Sequence, residues 1–128
     1  MNSTKTTGGC YCGNICYEFT GEPRVNANCH CNNCRKAIGA QAVAWTIVNK
    51  SSFKWTKGKP TRYKTDTEAH RTFCPDCGSS LTYEALKRKN EIDITTGSLD
   101  NPENFPPTGD AYTEYKLPWV KTVCDTSS

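Results

Sequence analysis

The apolar and polar residues of this chain follow one another in short alternations rather than in a helical repeat. Ile15 to Phe19 places Ile, Tyr and Phe at every second position, which predicts a half-buried strand. Ala42 to Val48 (Ala-Val-Ala-Trp-Thr-Ile-Val) carries the strongest strand signal. Phe53 to Thr56, Thr61 to Lys64 and Arg71 to Phe73 are shorter candidates, followed by Leu81 to Ala85 and Glu91 to Thr95. In the last of these Ile92 and Ile94 share one face. Gly21-Glu22-Pro23, Lys57-Gly58-Lys59-Pro60 and Pro106-Pro107 punctuate the strands. Nothing sustains a 3.6-residue period, so helix is expected only as short turns after Cys34 and over Asp100 to Asn104. The pattern predicts an all-β protein of small antiparallel sheets, with a single domain over 8–124 and flexible polar ends at 1–7 and 125–128.

Composition adds two constraints. With 128 residues, 35% of them apolar, the core is small and gains from cross-links. No run approaches the ~20 apolar residues of a membrane span, and the start, Met1-Asn2-Ser3-Thr4-Lys5, lacks an apolar signal region. A cytoplasmic location is therefore expected, and in a reducing compartment clustered thiols read as metal ligands rather than disulfides. The odd count of nine cysteines points the same way.

Seven of the nine fall into three clusters: Cys10-Tyr11-Cys12-Gly13, Cys29-His30-Cys31-Asn32-Asn33-Cys34 and Cys74-Pro75-Asp76-Cys77-Gly78. The first and third are half-sites of zinc-knuckle type. Each ends in a glycine that permits φ > 0 and lets backbone N–H groups face the sulfurs. Together they can close one structural site on Cys10, Cys12, Cys74 and Cys77. Cys29, Cys31 and Cys34 can hold a second zinc with a fourth position open, the arrangement of catalytic zinc. His30 either completes a closed Cys₃His centre there, supports the ligands or transfers a proton, or is a simple surface histidine. Two zinc ions and seven thiolates would cancel the formal charge of +3, leaving little long-range attraction for nucleic acid.

Ligand type narrows the chemistry. Three thiolates leave a zinc centre with one net negative charge, a weaker activator of water than zinc on three neutral imidazoles. Such a centre is suited to a fourth, incoming thiol, which it deprotonates and presents as a nucleophile. The substrate class is then a small thiol, and the reaction makes or breaks a C–S bond.

Gly9-Cys10-Tyr11-Cys12-Gly13, Cys29-His30-Cys31-Asn32-Asn33-Cys34-Arg35-Lys36, Phe73-Cys74-Pro75-Asp76-Cys77-Gly78 and Gly97-Ser98-Leu99-Asp100-Asn101-Pro102 occur here in one order. In this the chain resembles the glutathione-dependent formaldehyde-activating family, which includes centromere protein V, over roughly residues 8–119. The resemblance implies a β-tent fold of the Mss4-like type. It implies a structural zinc on Cys10, Cys12, Cys74 and Cys77 and a catalytic zinc on Cys29, Cys31 and Cys34. It implies glutathione as the thiol, and carbon–sulfur lyase or S-(hydroxymethyl)glutathione synthase activity. The chain departs from its relatives in two places. Cys16 stands where they usually carry arginine, and Pro107-Thr108-Gly109-Asp110-Ala111-Tyr112 where they commonly carry a histidine pair. A different electrophile from formaldehyde is compatible with those changes.

Further residues complete the expectation. Cys31 acts as zinc ligand at the reacting centre, and His30 or Asp110 moves the proton. Arg35 and Lys36, directly after the second cluster, are candidates for the carboxylates of glutathione. Lys50, Lys54, Lys57, Lys59, Arg62 and Lys64, interleaved with Phe53, Trp55 and Tyr63, are either sheet-edge lysines or a nucleic-acid surface. The rival reading is therefore a zinc-stabilised binding module that contacts nucleic acid or protein through residues 50–64.

Overall fold

The computed structural model describes residues 4–126. Strands β1 (Lys5–Gly9), β2 (Cys16–Thr20) and β5 (Phe53–Lys57) form a three-stranded antiparallel sheet in the order β1-β2-β5. The larger sheet has seven strands: β3 (Val25–Cys29), β4 (Val43–Asn49), β6 (Thr61–Lys64), β7 (Ala69–Phe73), β8 (Ser80–Ala85), β9 (Glu91–Thr95) and β10 (Gly109–Ala111). Its order is β10-β3-β4-β9-β8-β7-β6, and its pairs are antiparallel except that β10 runs parallel to β3. Helix α1 spans Asn32–Ile38 and α2 spans Val123–Thr126. No helix among the described residues is long and apolar enough to cross a membrane.

The all-β architecture expected from the alternation is the one observed, and each expected strand is present within two residues of its expected bounds. Lys5, Thr6 and Thr7 correct the expectation of a frayed start. They pair with Thr20, Phe19 and Glu18 of β2, because backbone pairing to a well-packed neighbour overrides a polar, glycine-rich local sequence. Residues 125 and 126, expected to be loose, belong to α2. The expected flexible residues 1–3 and 127–128 lie outside the described ones. Two further strands carry no local signal. β3 (Val-Asn-Ala-Asn-Cys) is polar at alternate positions yet lies inside the sheet, between β10 and β4, and β10 has three residues.

The larger apolar cluster is built where strands bury alternate residues. Tyr17 and Phe19 of β2 are fully buried, with Ile15, Val48, Leu81, Ile92, Ile94 and Leu99 around them. Phe53 and Trp55 close over Tyr17, with ring centroids 5.4 and 5.9 Å away. Full burial of one such side chain is worth ~2–3 kcal/mol. A second cluster combines Val43 and Trp45 of β4 with Cys29 and Cys34. Val48 of β4 belongs to the first cluster and Val43 and Trp45 to the second, as strand alternation requires. Cys10 and Cys74 belong to the first cluster. Each group of cysteines thus rests on its own core.

Candidate metal centre and thiol site

All nine cysteines are unbridged. Cys10 and Cys12 lie in the turn between β1 and β2, and Cys74 and Cys77 in the turn between β7 and β8. Their four sulfurs lie within 4.8 Å of one another. The two turns are built alike. Cys10 N–H donates to Ile15 O at 3.0 Å, and Cys74 N–H to Ser79 O at 3.0 Å. Gly13 and Gly78 take φ of +83° and +80°, where a side chain would be strained. Backbone N–H groups then point at sulfur: Ile15 N to Cys10 Sγ at 3.2 Å and Asp76 N to Cys74 Sγ at 3.4 Å. The Ser79 hydroxyl and N–H hold the Cys77 thiol down at about 6. Direct bonds also join the turns, from Tyr11 N to Ser79 Oγ and from Asn14 Nδ2 to Asp76 Oδ2, each 3.0 Å. Converging sulfurs already solvated by N–H donors are a fitting seat for a metal ion.

The second cluster is formed differently. Cys29 ends β3, Cys31 is the N-cap of α1, and Cys34 lies one turn into that helix. Cys31 Sγ accepts the Cys34 N–H at 3.3 Å, so the cap itself folds the three sulfurs to within 4.8 Å. Cys34 is held down at about 5 by hydrogen bonding from Cys29 and by the guanidinium of Arg71, whose Nη2 lies 3.7 Å from its sulfur. Cys29, donating to Cys34 and buried, is pushed up. These cysteines also fit a metal ion. They line a cleft of about 640 Å³ with Trp45, Tyr83, Tyr112 and Tyr115.

His30 does not join these ligands. Its side chain is fully buried, and its Nε2 meets Asp110 Oδ1 at 2.7 Å. The other Asp110 oxygen accepts Val123 N–H at 2.8 Å, and His30 N–H donates to Ala111 O at 3.0 Å. The two residues expected to move a proton are therefore brought together, behind the loop of the sulfur cluster rather than on the cleft wall. Arg35 bonds Asn32 Oδ1 and does not line the cleft either. Lys36 lines an adjoining cleft of about 580 Å³, which shares Asn33, Trp45, Thr67 and Arg71 with the first.

The cations facing the sulfurs are three that sequence reading missed: Arg24, Arg71 and Arg88. Arg24 pairs with Glu91, while Arg88 meets Glu91 at 2.8 Å and Asp93 at 2.8 and 3.1 Å. The Arg24 and Arg88 guanidiniums hold the Glu91 carboxyl below its usual range, while burial pushes Asp93 up. Arg71 packs its guanidinium 4.6 Å from the Tyr83 ring centroid. Arg71 lies three residues before Cys74, a member of the other sulfur group, and Arg24 and Arg88 lie five or more residues from any cysteine, so no local signal assigns them to this cleft.

The basic stretch divides between two sheet edges. β5 borders the small sheet and β6 the large one. Phe53 and Trp55 pack against the core, and Lys50, Lys54 and Lys64 pair with Glu84, Glu18 and Glu68. Tyr63 is the aromatic of that stretch that stays exposed.

Residues 5–115 match the model of the glutathione-dependent formaldehyde-activating enzyme family. The chain belongs to that family. A relative in Schizosaccharomyces pombe, an uncharacterized lyase, is 28% identical over 99 residues, covering 77% of this chain and 71% of its own. A crystal structure of a Rhodobacter sphaeroides protein shares the fold with a TM-score of 0.63. At 21% identity it covers 82% of this chain and 99% of the other. The family is one of enzymes named for glutathione-dependent chemistry, and both cysteine groups can hold metal ions.

Proposed function

We infer that this protein is a zinc-dependent carbon–sulfur lyase or transferase acting on glutathione adducts, of the S-(hydroxymethyl)glutathione synthase type. The observation that carries this reading is the contrast between the two sulfur groups. Four sulfurs are braced between two turns, and three sit on the wall of a cleft with side chains from β4, β7 and β8. Thiolate ligands and a four-plus-three division suit two zinc ions. Cys10, Cys12, Cys74 and Cys77 would hold the structural ion, and Cys29, Cys31 and Cys34 the reactive one. When bound at the second group, zinc supplies an acidified thiol that is nucleophilic at neutral pH.

The chain's own residues do the rest. The cap of α1 holds Cys31 and Cys34 in register, and the His30–Asp110 bond fixes the loop between Cys29 and Cys31. The Trp45 and Tyr83 rings, 6.0 Å apart, wall one side and reduce the access of water. In the synthase direction the glutathione sulfur attacks the carbonyl carbon of the aldehyde. A C–S bond forms, the C=O π pair moves to oxygen, and that oxygen gains a proton. Tyr83, Tyr112 and Tyr115 line the cleft and are candidates to deliver it. His30 and Asp110 would contribute by positioning. For glutathione's carboxylates the cleft offers Arg24 and Arg88 at their free edges, and Lys36 beyond the shared wall.

The test is direct. Zinc-loaded protein with glutathione and formaldehyde should speed formation of S-(hydroxymethyl)glutathione, followed by NMR, and Cys31→Ser should abolish that acceleration. A folded, two-zinc protein that accelerates neither formation nor cleavage of glutathione adducts would refute the reading.

A further inference from the structure

Among the cleft arginines, Arg71 differs in its partners. Arg24 and Arg88 are ion-paired with Glu91 and Asp93. Arg71, on β7, forms no ion pair with a carboxylate among the described residues. Its Nη2 donates to Cys34 Sγ at 3.7 Å. Its plane is braced by the Tyr83 ring at 4.6 Å, and that ring leans on buried Trp45 at 6.0 Å. A fixed guanidinium of this kind is stacked as well as charged, which lysine cannot reproduce.

Resting on the reading that Cys29, Cys31 and Cys34 hold a divalent ion with a position to spare, we propose that Arg71 is a positioning residue that compensates the charge of the metal–thiolate centre. Three thiolates on a divalent ion carry one net negative charge, and a thiol bound as its thiolate makes it two. Glutathione adds its own surplus carboxylate. A permanent cation within hydrogen-bonding reach of a ligand sulfur offsets that accumulation in a setting where charges act strongly. The role belongs to the incoming thiolate, whatever else the thiol carries. It differs from that of an anchor for the substrate's carboxylate, and the two roles predict different selectivity.

The experiment uses full-length protein loaded with Co²⁺, whose thiolate charge-transfer absorption reports binding without turnover. Glutathione and 2-mercaptoethanol, a thiol without carboxylates, are titrated into wild type, Arg71→Gln and Tyr83→Leu. Arg71→Gln should weaken both thiols by a similar factor, roughly 10- to 100-fold. Tyr83→Leu, which leaves the guanidinium but removes its brace, should show the same pattern at smaller size, and it carries the test if Arg71→Gln does not fold. Weakening of glutathione alone would make Arg71 a carboxylate anchor and overturn the proposal, as would unchanged binding of both thiols. If wild type responds to neither thiol, the open-position reading falls and this role falls with it. A wild-type response that the variants leave intact removes the role of Arg71 alone.

Discussion

Replacing Cys74 by serine should unfold much of this protein, whereas the same change at Cys31 should not. Cys74 is fully buried in the larger core, its sulfur 3.8 Å from that of Cys12. The four-sulfur group ties the turn after β1 to the turn after β7, and so one sheet to the other. A structural zinc ion held there would contribute on the scale of isolated fingers, ~10–16 kcal/mol, comparable with the ~5–15 kcal/mol total stability of a domain. If each of four ligands carries a similar share, the loss of one removes roughly 3 kcal/mol. At about 4 °C per kcal/mol for a chain of this length, the melting temperature falls by at least ~10 °C. Cys31 is an N-cap, where its sulfur accepts the Cys34 N–H. Serine is among the best residues at that position, so the helix start survives and the cost stays below ~1 kcal/mol. Circular dichroism melts and metal counts of both variants provide the assay. Cys74→Ser should lose its cooperative transition or melt far lower. Cys31→Ser should melt within a few degrees of wild type, with about one zinc ion fewer and no turnover. Equal loss of structure in the two variants would refute the division of roles between the sulfur groups.

A chelator should strip the protein in two stages, with the cleft ion leaving before far-UV dichroism changes. A single release concurrent with unfolding would contradict an open site. Glutathione should protect Cys29, Cys31 and Cys34 from alkylation, as read by mass spectrometry, and S-methylglutathione far less; equal protection would remove the thiolate from the mechanism. The Glu91 carboxyl is held below its ordinary 4.5 by Arg24 and Arg88, so its ionised form favours the fold. That contribution is present above the unfolded value and is lost as pH falls through the lowered folded one. Arg24→Ala should therefore flatten the acid limb of the stability profile below pH ~4.5, and an unchanged limb would show that the pair contributes nothing. Phe19→Ala empties a fully buried site and should destabilise by ~3–5 kcal/mol in denaturant titration, with both metal ions retained.

Much of the candidate site is legible in the chain because its parts are local. Cys29, Cys31 and Cys34 are brought together by one strand end and one helix cap, within six residues. The two turns likewise declare themselves by Cys, Cys and Gly at short spacing. The strands of the core are visible wherever apolar side chains alternate, as in β2 and β9. β1, β3 and β10 are not, because their place is decided by the neighbours they pair with rather than by their own side chains.

The charged environment of the cleft follows the same rule from the other side. Arg35 and Lys36 adjoin the cysteines in sequence, but α1 carries Arg35 toward Asn32 and Lys36 over the shared wall. The guanidiniums that meet the sulfur cleft come from residues 24, 71 and 88, carried there by the order of strands in the seven-stranded sheet. His30 and Asp110, 80 residues apart, meet because β10 lies parallel to β3, with Ala111 opposite Cys29. The sequence by itself determined the grouping of metal-capable cysteines and the β class, since both are encoded in residue type and short-range spacing. Only the tertiary structure decided which cation faces the cleft sulfurs and that His30 is held against Asp110 instead. Those contacts span tens of residues, and their partners are chosen by sheet register and the packing of the core rather than by any local pattern.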